Sequence, residues 1–104
     1  MAVNTPDIET EERTKSRHHT QEPPMYQVLL HNDDYTTMAF VIEILLGVFK
    51  QSLAEATRIM LNVHNDGIGV CGTYAYEIAE TKVETVDMLA RASGFPLKCS
   101  MEKV

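Results

Sequence analysis

From Met38 to Phe49 the large apolar residues recur at helical spacing, as Met38, Val41, Ile42, Leu45, Leu46 and Phe49. No other stretch limits the available folds as much. A helix with a continuous apolar stripe must bury it, so the rest of the chain has to supply an opposing layer. Period-two runs supply one. Tyr26, Val28 and Leu30 alternate with Gln27, Leu29 and His31 just before the helix, and Leu97, Cys99 and Met101 alternate with Lys98, Ser100 and Glu102 at the C-terminal end. Both read as strands with one side facing a core.

Two further helices and one more strand lie between these runs. Ser52-Leu53-Ala54-Glu55 reads as a capping box in which serine and glutamate reciprocally satisfy exposed amides. A second helix is expected from Leu53, with Leu53, Ala56, Met60 and Val63 as its stripe. It closes near His64-Asn65-Asp66-Gly67, where glycine takes the left-handed conformation. Ile68, Val70, Tyr74 and Tyr76 share a parity, which predicts a strand over part of 68–74 with a bend at Gly72. A third helix is predicted from about Ala75 to Ala92, with Ala79, Val83, Val86 and Ala90 facing inward and Gly94 as terminator. The order β-α-α-β-α-β predicts an α+β fold: a small α/β sandwich with three helices on a three-stranded antiparallel sheet.

The 104 residues fit one domain, and its boundaries follow composition. Residues 1–24 are polar and poor in large apolar groups, so they read as a flexible N-terminal extension ending at Pro23-Pro24, with a core domain over 25–104. Fifteen Asp and Glu against nine Lys and Arg give a net charge of −6, which argues against nucleic-acid and anionic-membrane binding. There is no run of apolar residues as long as a secretory h-region or a membrane span, and the two distant cysteines, Cys71 and Cys99, look like reduced small hydrophobes. These features point to the cytoplasm.

Residues 31–38, "HNDDYTTM", stand out between the first strand and the first helix. Short acceptor side chains and negative charge suit the start of any helix. One cap suffices, however, and Thr36 can supply it, which leaves Asn32, Asp33 and Asp34 with acceptors to spare. In a βαα unit the end of the second helix returns toward the start of the first, so His64 is expected beside Asn32 and Asp33. Alone, His64 would be a favourable partner for the end of its helix dipole. A metal site would draw on His31, Asp33, Asp34 and His64, but no tight H-x-x-x-H, H-E-x-x-H or C-x-x-C spacing is present. No nucleophile elbow, P-loop or dinucleotide fingerprint occurs either, so neither catalysis nor a cofactor is expected. Acceptors beside an apolar cavity suit an ammonium group attached to a hydrophobic side chain, because buried acceptors replace the ammonium's hydration. A free peptide N-terminus has that form.

The stretches "PPMYQVLLHNDDYTTMAFVIEIL", "ATRIMLNVHNDG", "CGTYAYEIAETKVETV" and "PLKCSMEK" run in order through 23–104. Their motifs "NDDYT-x-M", "ML-x-VH-x-x-G" and "AETKV" resemble the ClpS family, bacterial adaptors that deliver N-degron substrates to the ClpA-type AAA+ unfoldase of the ClpAP protease. The resemblance implies a non-enzymatic protein that binds substrates beginning with Phe, Leu, Tyr or Trp. Asn32, Asp33 and His64 would surround the α-amino group, with Asp34 and Thr36 near the first peptide units. Leu30, Met38, Val41, Met60, Val63 and Leu97 would line the side-chain pocket, Met38 being the gate that disfavours β-branched residues. Glu77 and Lys82 would contribute to docking the unfoldase, and the N-terminal extension would engage it during delivery. Thr37 departs from the family, which usually has proline there, so the start of the first helix is expected to be slightly softer. Two other readings remain open: a metal-dependent small hydrolase, and an interaction module like the C-terminal domain of the ribosomal stalk protein.

Overall fold

A computed structural model describes residues 23–104. The expected extension, except for Pro23 and Pro24, lies outside the described residues. The elements are β1 (Met25–His31), α1 (Met38–Gly47), α2 (Leu53–Asp66), β2 (Ile68–Ala75), α3 (Tyr76–Ser93) and β3 (Lys98–Lys103). The first strand is central in a sheet of order β2-β1-β3, and it runs antiparallel to both neighbours. The predicted α+β order and sheet are therefore observed.

Central placement explains why β1 is more apolar than a half-buried strand requires. Val28 and Leu30 join the core beneath the helices, and both are completely buried. Leu29 belongs to the opposite face, yet it is only 5% exposed. Its neighbours across the ladders, Val70 and Ser100, cover it from both sides. On the same face the His31 Nε2 lies 2.7 Å from the Ser100 hydroxyl.

The second strand does not keep the single parity expected of it. Its pairing with β1 slips between Val28 and Leu29, so that Val28 faces Gly72 and Leu29 faces Val70. Cys71 is the extra residue of a bulge, and a bulge reverses which face the following side chains occupy. Ile68 and Val70 thus face outward, whereas Tyr74 packs against the core. The irregularity falls at Cys71, one residue before the glycine where a bend was expected; at Gly72 itself the Tyr74 ring lies in the space a Cβ would occupy. The Cys71 carbonyl accepts a hydrogen bond from the Gln51 amide side chain at 2.8 Å, which ties the α1–α2 connection to the bulge. Cys71 and Cys99 are free thiols. Burial raises both, Cys99 to about 12, so neither is a ready nucleophile at neutral pH.

The helix stripes differ in detail from the periodic reading. In α1 the buried residues are Phe40, Val41, Ile44 and Leu45, while Met38 and Leu46 are exposed. The sequence of α1, "MAFVIEILLG", is apolar nearly all round, so periodicity could not select its inward side. In α2 Ala56, Ile59 and Val63 are buried and Leu53 is 63% exposed. The predicted stripe of α3 does face inward. Only half of the capping box forms. Ser52 Oγ accepts from the Glu55 amide at 3.1 Å, but the Glu55 carboxylate turns to Arg58 at 2.7 Å. Gly67, at φ 89°, closes α2 and donates its amide to the Val63 carbonyl.

Candidate functional site

The loop between β1 and α1 is built around one carboxylate. Asp33 Oδ1 accepts from the amides of Tyr35 and Thr36, each at 2.8 Å, and Oδ2 accepts from the Thr36 hydroxyl at 2.6 Å. Burial raises the Asp33 carboxyl, but the bonds from the Thr36 side chain and the two amides outweigh it and hold the group below its ordinary value. Asp33 therefore has a local structural duty, contrary to the expectation that its acceptors were spare. Thr36 does not cap α1; its hydroxyl donates to Asp33 Oδ2. The cap is Thr37, whose Oγ1 accepts from the Phe40 amide at 3.1 Å. Two adjacent threonines make this choice invisible to periodicity. The spacing Asp33-x-x-Thr36 was the available cue, since it pairs an acidic side chain with a hydroxyl three residues on.

A second bond sets the position of the loop relative to α2. The Asn32 amide donates to the Gly67 carbonyl at 2.9 Å, joining the end of β1 to the terminus of the second helix. The return of α2 thus brings His64 beside the loop. A cavity of about 200 Å³ opens between them, lined by Asn32, Asp33, Asp34, Thr36, Met38, Val41, Met60, Val63 and His64. Thioethers and branched aliphatic groups of α1 and α2 form its apolar wall, and the loop and His64 supply its polar mouth. Among the described residues, the hydrogen bonds of the loop side chains converge on Asp33, and none is donated to the side chains of Asn32, Asp34 or His64. Leu30 and Leu97 are not in the lining. They are 0% and 5% exposed and belong to the core behind it.

The chemistry of such a cavity is that of a receptor. An ammonium at the mouth meets a carboxylate and neutral acceptors, while its attached side chain meets apolar surface. Among the described residues, no three His, Cys, Asp or Glu side chains are grouped so as to hold a metal ion. No described helix is long and apolar enough to cross a membrane.

The other two predicted residues sit on α3, away from the cavity lining. Glu77 is exposed in the first turn. Lys82 is half-buried, and its Nζ donates to the Val48 carbonyl at 2.9 Å. The same ammonium lies 5.8 Å from the Phe49 ring centroid and 5.2 Å from that of Tyr74. Val48 is the C-cap of α1, so the cation satisfies a terminal carbonyl and complements the negative end of the helix. Lys82 is thus a structural clamp between α1 and α3. Lys82→Met is expected to lower stability by about 1–2 kcal/mol, from one charged hydrogen bond and a partly desolvated cation–π contact. Urea denaturation with an unchanged m-value checks this, and a loss below a few tenths of a kcal/mol would mean that the ammonium contributes nothing to the fold.

Residues 21–100 match the family model described as ATP-dependent Clp protease adaptor protein ClpS. The chain is 62% identical over 96 residues to the ATP-dependent Clp protease adapter protein ClpS of Desulfatibacillum aliphaticivorans, covering 92% of this chain and 88% of that protein. It is 57% identical to the protein of the same name from Desulforapulum autotrophicum, with 99% of each chain covered. Among solved structures it is similar to Agrobacterium tumefaciens ClpS2 bound to L-phenylalaninamide. The TM-score is 0.77 at 37% identity, over 80% of this chain and all of that one.

Proposed function

The chain belongs to the ClpS family of Clp protease adaptors, and from that premise we propose that its cavity receives the first residue of proteins beginning with Phe, Leu, Tyr or Trp, which it delivers to a ClpA-type unfoldase. Members of the family are adaptors and not enzymes. The observation that carries the reading is the joining of a polar mouth and an apolar wall in one cavity. The ligand of the Agrobacterium relative has the matching form, a free α-amino group next to a benzyl side chain.

In this reading Asn32, Asp33 and His64 take the α-ammonium, and Asp34 and Thr36 lie along the first peptide units. Met38, Val41, Met60 and Val63 contact the side chain, with Leu30 and Leu97 backing that wall from the core. Met38 acts as the gate. A wall close to the ligand's Cβ accepts a branch at Cγ and clashes with one at Cβ, where χ1 is stiff. Docking of the unfoldase uses the surface of α3 around Glu77, whose carboxylate is exposed. Lys82 contributes through the position that Val48 gives it. Residues 1–24 serve as the extension that engages the unfoldase.

Fluorescence anisotropy with peptides that differ only at the first residue tests this. Leu- and Phe-initiated peptides are expected to bind, and N-acetylation to weaken binding by at least about tenfold, since it removes the charge and two donors from partly buried acceptors. Equal affinity for free, acetylated and Ile-initiated peptides would overturn the reading.

A further inference from the structure

Met38 is both a wall of the cavity and the first residue of α1, so its place depends on where that helix begins. Besides the bond that the Val41 amide donates to the Thr37 carbonyl at 3.2 Å, little holds it. Met38 is 46% exposed, Ala39 is exposed too, and the first buried residue of the helix is Phe40. The first turn also lacks an acidic residue to engage its free amides. On the other side, the Asp33 hydrogen bonds fix the loop only as far as Thr36.

Residues 37–39 lie between these two anchored segments, and Thr37 is the first of them. Its backbone is extended, at φ −77° and ψ 152°, and its hydroxyl reaches forward over Met38 and Ala39 to accept from the Phe40 amide at 3.1 Å. We propose that Thr37 is a positioning residue that sets the selectivity of the cavity, by pinning the first turn of α1 so that Met38 stands as a fixed wall against the ligand's Cβ. The inference rests on the reading of the cavity as a receptor for a first residue. Without the cap, residues 37–39 keep only the 3.2 Å bond from the Val41 amide and little burial to oppose their motion, so they fray more readily while the loop and the helix body stay in place. Met38 then withdraws, and a β-branched side chain enters at little cost. A side-chain acceptor thus supplies the rigidity that was expected to be missing at this position.

The test compares Thr37→Val, which keeps the branched shape and removes only the acceptor, with Thr37→Ser, which keeps the hydroxyl. Affinities for Leu-initiated and Ile-initiated peptides give a discrimination ratio for each protein. Thr37→Val is expected to reduce that ratio by about fivefold, the equilibrium effect of losing one N-cap, chiefly by tightening the Ile complex. Thr37→Ser should keep the ratio of the unaltered protein. Amide hydrogen exchange at Phe40 should quicken in Thr37→Val while that at Leu45 stays unchanged. An unaltered ratio in Thr37→Val, or an equal loss of both peptides, overturns the proposal. Met38→Ala separates this from failure of the underlying reading. If Met38→Ala also leaves the ratio unchanged, the gate itself is wrong; if it lowers the ratio and Thr37→Val does not, only the role of Thr37 falls.

Discussion

Replacing Asp33 by alanine is expected to weaken binding of a Leu-initiated peptide by about tenfold to a hundredfold, the range for losing a charged hydrogen-bonding partner, and to destabilise the fold as well. The carboxylate accepts three hydrogen bonds within the loop, so its removal leaves two amides and a hydroxyl without their acceptor and frees the segment that carries Asn32 and Thr36. The stability loss should be about 2 kcal/mol, since each bond contributes modestly and the loop is only partly buried. Asp33→Asn separates the two effects. Its amide oxygen can still accept from Tyr35 and Thr36, so most of the stability should return while the negative charge facing an ammonium does not. Peptide binding as strong in Asp33→Asn as in the unaltered protein would make the role of Asp33 purely structural.

The alanine substitution has a signature in acid. Because the Asp33 carboxyl is held below its ordinary value in the folded protein, the unfolded chain binds more protons between the folded and unfolded values. Its contribution to stability is complete above the ordinary carboxylate value and is lost as pH falls below it. Urea denaturation at a series of acidic pH values should therefore show the difference between the protein and Asp33→Ala shrinking as pH falls. A difference that holds constant down to the lowest pH would contradict this assignment.

Leu30→Ala is expected to cost about 3 kcal/mol, within the 2–5 kcal/mol typical of large-to-small core changes, and so to lower Tm by roughly 10–20 °C for a domain of this size. Leu30 is completely buried in the central strand and belongs to the hydrophobic core, where the surroundings cannot collapse around a deletion without disturbing both ladders. Leu53→Ala is the control. It was an equally good stripe residue by periodicity but is 63% exposed, and its loss should stay within about 0.5 kcal/mol. Calorimetry on the two variants decides between them. A small loss in Leu30→Ala accompanied by a changed first-residue preference would move Leu30 from the core to the cavity wall.

Much of the architecture was legible because it follows from local chemistry. The strand and helix order, the termination of α2 at Gly67 and the inward face of α3 all come from spacing and backbone preference. The juxtaposition of His64 with Asn32 and Asp33 was legible as well, since an antiparallel helix pair must return to where it started. Other features were not. The inner side of α1 was hidden by a helix apolar on nearly every side, the parity of β2 by a bulge that leaves no mark in composition, and the cap of α1 by a pair of threonines that only the hydrogen bonds of Asp33 tell apart.

By itself, then, the sequence determined which segments become strands and helices, and which residues meet at the end of the first strand. Periodicity and turn chemistry act over a few residues and are written where they act. Only the tertiary structure decided that Asp33 is bound by its own loop, that Lys82 is clamped onto Val48, and that Leu30 and Leu97 stand behind the cavity wall. Each of these depends on which donor or neighbour arrives first at a shared space, and for Lys82, Leu30 and Leu97 that neighbour comes from a distant part of the chain.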